Sequence, residues 1–194
     1  MDIPRVGILV GPRGRGSNMA AIARSGFADV SVVIAPSESA PAVQIAHDLG
    51  LAVSIVPPGD EYGSRLVEAL GKVDFVCLAG YMRLLPAEVL RTFDGRVLNI
   101  HPSLLPKFGG QGMYGSRVHE AVIAAGESES GCTVHYVNEK YDEGFPLLQL
   151  RCPVMPEDTA EALAARVLAL EHQAYPWAIE LAAAIIHRRS ESSP

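Results

Sequence analysis

The residues best suited to chemistry are an amide and an imidazole two positions apart, Asn99 and His101, at the end of a short apolar run. Alternate residues of a strand project to the same face, so the two side chains should share one site. An amide N–H beside an imidazole can stabilise an oxyanion that develops during a reaction. Pro102 and Pro106 predict a fixed loop directly after the run. We therefore interpret the pair as catalytic, against the alternative that His101 is a structural histidine.

A carboxylate that could join this pair belongs to Asp142, which follows the alternating run 131–138 and precedes Gly144 by two positions. Aspartate and glycine at this spacing are also ordinary turn residues. Asp142 is therefore either a catalytic acid or a hairpin residue, and the catalytic interpretation requires its carboxylate to reach His101.

A glycine-rich loop at 11–18 has the sequence Gly-Pro-Arg-Gly-Arg-Gly-Ser-Asn. Glycines let the backbone approach a ligand closely, and the N-terminus of a following helix offers unpaired N–H groups to an anion. The loop lacks the Gly-Lys-Ser/Thr of a P-loop and the third glycine of a dinucleotide site. It is either a phosphate cradle or a structural tight turn.

The elements that must hold these residues alternate through the first hundred positions. Apolar, β-branched runs predict strands at 5–10, 29–35, 52–56, 74–79 and 96–100. Helical patterns fall at 17–24, 41–49, 60–70 and 86–92; Pro41 and Pro86 stand at two of the starts, and Gly50 and Gly71 stand just past two of the ends. This alternation predicts an α/β fold with a Rossmann-like, mostly parallel twisted sheet flanked by helices.

The pattern changes after residue 101, where a Pro/Gly-rich loop precedes a helix predicted around 118–125. The alternating run 131–138 and a strand at 147–153 predict an antiparallel extension of the sheet in the C-terminal half. A long helix is predicted at 159–186, with Pro176 expected to kink or break it.

Composition excludes several classes of function. The net charge is -6 and no basic stripe is present, which argues against a nucleic-acid partner. No apolar run approaches the roughly 20 residues that span a bilayer, so no membrane partner is expected. The first residues lack the features of a signal peptide. Three cysteines without metal-ligand spacing favour a reducing, cytoplasmic location.

Two runs together resemble the folate-dependent formyltransferase family. They are Asn-x-His-x-Ser-Leu-Leu-Pro at 99–106 and Gly-x-Thr-Val-His-x-Val followed by Tyr-Asp-x-Gly at 131–144. Three further motifs are similar to the branch of the family that acts on glycinamide ribonucleotide. They are Gly-Ser-Asn at 16–18, Ala-Gly-Tyr-Met-Arg at 79–83 and Glu-His-x-x-Tyr-Pro at 171–176. The similarity extends over about 5–185.

The resemblance implies transfer of a formyl group from 10-formyltetrahydrofolate, as co-substrate and without a metal, to the amine of glycinamide ribonucleotide in purine biosynthesis. It implies that Asn99 and a cationic His101 stabilise the oxyanion, and that Asp142 orients and charges the imidazole and moves the amine proton. His135 matches a family histidine whose role, direct chemistry or strand support, stays open. The resemblance also implies substrate binding by Gly16, Ser17, Asn18, Gly110 and Glu171, and folate binding by Met82, Arg83, Leu84, Val97, Asn138 and Tyr141.

The expected organisation is one domain over 1–189, with a phosphate-binding half at about 1–100, a folate and catalytic half at about 101–189, and a tail at 190–194. Either a monomer or a homodimer fits the sequence. The resemblance also places Leu168 where relatives often carry Lys or Gln near the phosphate, so Arg13 or Arg15 could substitute.

Rival interpretations share part of the pattern. A 10-formyltetrahydrofolate hydrolase would use the same catalytic set with water as acceptor, usually with an added N-terminal domain. A methionyl-tRNA formyltransferase would need an RNA-binding domain and a positive surface. A non-catalytic Rossmann-like nucleotide-binding module would leave Asn99, His101 and Asp142 unexplained.

Overall fold

Seven strands form a single sheet in the computed structural model, which describes residues 2–191. The elements in chain order are β1 (Arg5–Val10), α1 (Ser17–Arg24), β2 (Asp29–Ala35), α2 (Pro41–Asp48), β3 (Val53–Ile55), α3 (Tyr62–Leu70), β4 (Phe75–Ala79), α4 (Ala87–Thr92), β5 (Val97–His101), α5 (Ser116–Ala124), β6 (Glu129–Tyr136), β7 (Pro146–Pro153) and α6 (Ala160–Glu191). The strand order across the sheet is β3-β2-β1-β4-β5-β6-β7. The strands predicted in the first hundred residues are confirmed to within one residue at each end.

The first five strands run parallel and are covered on both faces. Alternate residues of β4 enter two different cores, Cys77 on one side and Val76 and Leu78 on the other. The first core is filled from α1, α2, α5 and α6, and the second from α3 and α4. Burial on both faces explains why these strands are continuous apolar runs rather than alternating ones.

The last two strands extend the sheet by antiparallel pairing, as predicted, so that β6 alone among the seven strands of residues 2–191 runs opposite to the others. Antiparallel pairing of β5 with β6 places Asn99 opposite His135 and His101 opposite Thr133. Antiparallel pairing of β6 with β7 then places Gln149 opposite Thr133. Because residues paired across strands share a face, the ladder gathers five polar side chains on one side of the sheet.

A single helix of 32 residues, α6, crosses the sheet with Pro176 in its interior. Of the predicted kink or break at Pro176, the break is wrong, because the packing of α6 against β6, β7, α1 and α5 supports helix on both sides of the proline. The helix also includes residues 190 and 191 of the predicted tail, whereas 192–194 lie outside the described residues. No helix within 2–191, α6 included, is long and apolar enough to cross a bilayer.

Tyr175 connects α6 to the neighbouring strands β4 and β5 through its hydroxyl. Its side chain is fully buried, and its hydroxyl lies 3.0 Å from the carbonyl oxygen of Leu78 and 2.9 Å from that of Leu98. We expect Tyr175→Phe to lower the free energy of unfolding by about 1 kcal/mol, because two buried carbonyls lose their shared donor. Urea denaturation measures the change. Stability equal to that of the unaltered chain would show that the hydroxyl contributes nothing.

Candidate active site

A cleft of about 470 Å³ opens at the carboxyl ends of β4 and β5, with Asn18 of α1 among its lining residues. This is the edge at which open α/β sheets bind ligands, next to the point where the strand order reverses between β1 and β4. Most of the residues singled out from the sequence line it: Asn18, Met82, Arg83, Leu84, Asn99, His101, Gly110, Asn138, Tyr141, Asp142 and Glu171.

Three of the predicted binding residues do not line this cleft. Val97 shares the face of Asn99 but lies one pleat deeper, where it is 2% exposed and packs in the core beneath α3 and α4. Gly16 is the residue before α1, with a left-handed backbone that few other residues adopt. Ser17 and Arg15 face a separate groove between α1 and α2.

Several residues that line the cleft were not singled out by the sequence-based reasoning. They include Leu85, Gln111, Met113, Tyr114 and Val137. Three of them belong to the glycine-rich segment 109–115, in which only Gly110 was assigned a role. The available signal was a methionine and a tyrosine in an otherwise glycine-rich stretch, and Tyr114 is indeed 48% exposed.

The catalytic candidates meet at one spot in the cleft. The Nδ1 atom of His101 lies 3.4 Å from Oδ2 of Asp142, and the other oxygen of Asp142 lies 3.6 Å from Nε2 of His135. Asn99 Nδ2 is 3.1 Å from the same Nε2 atom. The condition set from the sequence, that the carboxylate reach His101, is therefore met.

Both ring nitrogens of His101 face oxygen atoms, because its Nε2 lies 2.7 Å from the carbonyl oxygen of Phe108. Burial lowers the pKa of this imidazole, while the Asp142 carboxylate and the Phe108 carbonyl raise it. The net pKa lies below that of an ordinary histidine, so the environment does not favour the permanently cationic His101 that the resemblance implied. The carboxylate acts as expected, but the imidazole is only 4% exposed and loses more by desolvation.

The backbone conformation of the turn between β6 and β7 places the Asp142 side chain in the cleft. Its φ of 55° is a left-handed conformation that, apart from glycine, asparagine and aspartate adopt most readily. Oδ2 accepts a hydrogen bond from the Gly110 N–H at 2.9 Å. A side chain at Gly144 would overlap the carbonyl oxygen of Tyr136, so only glycine lets the turn fold back onto β6. Burial raises the pKa of Asp142, but His135, His101 and the Gly110 N–H together bring it below its usual value, so the carboxyl is ionised at neutral pH.

His135 orients the amide of Asn99. Its Nδ1 lies 2.9 Å from the carbonyl oxygen of Tyr136, which can only accept a hydrogen bond, so Nδ1 carries a proton. In the tautomer that carries its proton on Nδ1 alone, Nε2 accepts the Asn99 N–H, and when Nε2 also carries a proton it donates toward Asp142 instead. The second N–H of Asn99 remains for a ligand. His135 is 2% exposed and lines the cleft.

A second polar pair lies elsewhere in the cleft. Asn18 Nδ2 donates to Oε2 of Glu171 at 2.7 Å, and Glu171 is 8% exposed. Burial raises the pKa of Glu171, and the hydrogen bond from Asn18 opposes the rise only in part. The Oδ1 atom of Asn18 is buried and has no partner within 2–191. Buried, incompletely paired oxygens of this kind are suited to ligand hydroxyl or N–H groups. Residues 2–191 contain no cluster of three side chains able to hold a metal ion.

A family model described as formyl transferase matches residues 29–179. The chain is 42% identical to a chloroplastic phosphoribosylglycinamide formyltransferase of Vigna unguiculata over 192 residues, which are 93% of this chain and 62% of the relative. It therefore spans less than two thirds of that relative's length. Among solved structures, phosphoribosylglycinamide formyltransferase from Brucella melitensis is 39% identical with a TM-score of 0.82, and covers 92% of this chain and 95% of its own. Glycinamide ribonucleotide transformylase 1 from Symbiobacterium toebii is 38% identical with a TM-score of 0.81, at 92% and 86% coverage.

Proposed function

Because this chain belongs to the formyl transferase family, we propose that it transfers the formyl group of 10-formyltetrahydrofolate to the amine of glycinamide ribonucleotide, a step of purine biosynthesis. The observation that carries the proposal is the meeting of Asn99, His101 and Asp142 in one cleft with the Asn18–Glu171 pair. The cleft thus contains three side chains that can catalyse acyl transfer and, in addition, a polar pair that can bind a substrate.

In the proposed reaction the substrate amine attacks the formyl carbon, and the carbonyl oxygen becomes an oxyanion in a tetrahedral intermediate. The free N–H of Asn99 donates to this oxygen. The amine gives up a proton, the bond from the formyl carbon to N10 of the folate breaks, and N10 gains a proton. No covalent bond to the protein forms. Holding the two reactants together supplies much of the acceleration.

His101 and Asp142 act together in this scheme. The lowered pKa of His101 leaves its ring neutral near neutral pH, and because Nε2 donates to the Phe108 carbonyl, Nδ1 is the nitrogen that accepts a proton. The ionised carboxylate of Asp142, 3.4 Å from Nδ1, stabilises the imidazolium once it forms. The imidazolium in turn favours the neighbouring oxyanion. His101 then returns a proton to the departing nitrogen, directly or through water. This replaces a permanently cationic His101 with one that is charged during the reaction.

The two ends of the cleft support different ligands. Met82 and Leu84 are exposed apolar side chains beside Tyr141, an arrangement suited to the flat rings of a folate. Asn18 and Glu171 are suited to ribose hydroxyls. The glycine-rich loop before α1 leads into Asn18 and is suited to the phosphate, although Ser17 and Arg15 themselves face the separate groove between α1 and α2.

Glu171→Gln is expected to raise KM for glycinamide ribonucleotide about 10- to 100-fold with less effect on kcat, because a hydrogen bond to a charged group is worth about 1.5–3 kcal/mol. The raised pKa of Glu171 adds a pH dependence. In the unaltered enzyme this KM should increase as the pH falls and the carboxylate is protonated. The glutamine variant should lack that increase. Steady-state kinetics across the acidic range measure both effects, and equal KM values would remove Glu171 from the ribose site.

Two alternatives remain to be separated from transfer. A hydrolase would consume the formyl folate with water, and a nucleotide-binding module would bind the ribonucleotide without turnover. A spectrophotometric assay with a 10-formyl folate analogue distinguishes them. Turnover that requires glycinamide ribonucleotide supports the proposal, and equal turnover without it identifies a hydrolase. Tight ribonucleotide binding with no turnover identifies the binding module.

We further propose one functional unit over 1–189, acting as a monomer or homodimer without nucleic acid or membrane, in a reducing compartment such as the cytoplasm. The support for the compartment is that Cys77, Cys132 and Cys152 are all buried, unpaired thiols. Burial raises the pKa of Cys77 and of Cys132 to about 12, which keeps both thiols protonated and unreactive.

A further inference from the structure

A buried hydroxyl on β6 organises the loop that follows the catalytic strand. Thr133 is fully buried, lies opposite His101 in the ladder and does not line the cleft. Its Oγ1 atom accepts hydrogen bonds from the Leu105 N–H and from Gln149 Nε2, both at 3.0 Å. Because a threonine hydroxyl has one proton, that proton goes to the carbonyl oxygen of Ser103 at 2.6 Å.

The same loop is held at two further points. Gln149 Nε2 also donates to the carbonyl oxygen of Leu105 at 2.9 Å. Ser103, fully buried, donates its hydroxyl to the carbonyl oxygen of Lys107 at 2.6 Å. Thr133 and Gln149 together therefore fix both polar backbone atoms of Leu105 and, through Ser103, the chain as far as Lys107.

The loop ends against the imidazole. Phe108 follows Lys107 directly and has a left-handed φ of 56°. That conformation turns its carbonyl oxygen to within 2.7 Å of His101 Nε2. A small shift of the loop would therefore change the hydrogen bond between the Phe108 carbonyl and His101 Nε2.

We propose that Thr133 and Gln149 are positioning residues that hold the loop 103–108 so that the Phe108 carbonyl sets the orientation and charge of the His101 ring. For its kinetic readout the inference rests on the proposed function. Its structural readout, the titration of the His101 ring, is independent of any assigned activity. An acceptor at Nε2 favours the protonated ring, so loss of this contact lowers the pKa of His101 further.

The test compares three single variants on two buried hydroxyls of the same strand. Thr133→Val removes the hydroxyl at nearly constant volume, and Thr133→Ser retains it. Ser130→Ala is the matched control, because Ser130 is 2% exposed on β6 and its hydroxyl has no partner in the described part of the chain. We expect Thr133→Val to lower kcat at least about 10-fold with little change in KM, since slight misplacement of catalytic groups is costly. Thr133→Ser and Ser130→Ala should stay close to the unaltered enzyme.

The second readout is NMR titration of the labelled His101 ring in each protein. The ring should lose its proton at lower pH in Thr133→Val than in the unaltered chain, and at the unaltered pH in Thr133→Ser and Ser130→Ala. Equal kcat and equal titration in Thr133→Val and Ser130→Ala would overturn the inference. If Thr133→Val does not fold, Gln149→Met is judged by the same two measurements. Absence of formyl transfer in the unaltered chain would contradict the proposed function alone, since the ring titration would still decide this inference.

Discussion

Replacement of Asp142 by asparagine is expected to reduce kcat by about 10³-fold, within the range found for loss of a positioned acid or base. Asparagine keeps the shape of the side chain and can still accept the Gly110 N–H, so the turn should persist. What it removes is the negative charge 3.4 Å from His101 Nδ1. Without that charge, the imidazolium that forms during the reaction has no counter-ion in a buried site.

The same substitution has a defined effect on titration. The carboxylate raises the pKa of His101 against the opposing effect of burial, so its removal must lower that pKa further. The ring of the variant should therefore deprotonate at lower pH than that of the unaltered enzyme, as followed by NMR. The matched control is Glu143→Gln, an acid-to-amide change in the same turn at an exposed position. Near-normal turnover in Asp142→Asn, with an unchanged ring titration, would reduce Asp142 to a turn residue.

Hydrophobic periodicity was enough to predict the sheet, and the period of a strand was enough to predict that Asn99 and His101 share a face. Burial on both faces produces uninterrupted apolar strands, and alternation produces the antiparallel extension, so the local pattern carries the fold class. The common face of Asn99 and His101 follows from the two-residue period of a strand, and both side chains do line the cleft. The period does not say how far along the strand a residue lies from the cleft. Val97 therefore shares the face of Asn99 but lies deeper, in the core.

The approach of Asp142 could not be predicted from local pattern. It depends on a left-handed aspartate, on a glycine that lets the turn lie against Tyr136, and on a hydrogen bond from Gly110, 32 residues away in sequence. Similarity to the family suggested the contact, but spacing alone left a hairpin equally reasonable. Tertiary contacts likewise decided that α6 continues through Pro176.

The net pKa of His101 shows a different limit of sequence reasoning. A carboxylate partner can be inferred from sequence similarity, and its sign is known in advance. The opposing effect depends on how completely the ring is removed from water, and that is set by the loop 102–115 and by β6 together. Burial is a property of the whole folded chain. Whether burial or the Asp142 charge has the larger effect on the pKa of His101 can therefore be judged only from the structure.

Replacement of His101 by alanine should produce the second large loss, about 10²- to 10⁴-fold in kcat, because both proton transfer and the neighbouring positive charge disappear. Binding of the formyl folate should change little, since the apolar residues Met82 and Leu84 are untouched. Added imidazole should restore part of the rate, because the truncated side chain leaves a space that opens into the cleft beside Asp142. The matched control is His119→Ala, which removes another histidine that is 4% exposed but does not line the cleft. If both variants lose activity equally and imidazole rescues neither, the effect is one of packing, and His101 takes no part in proton transfer.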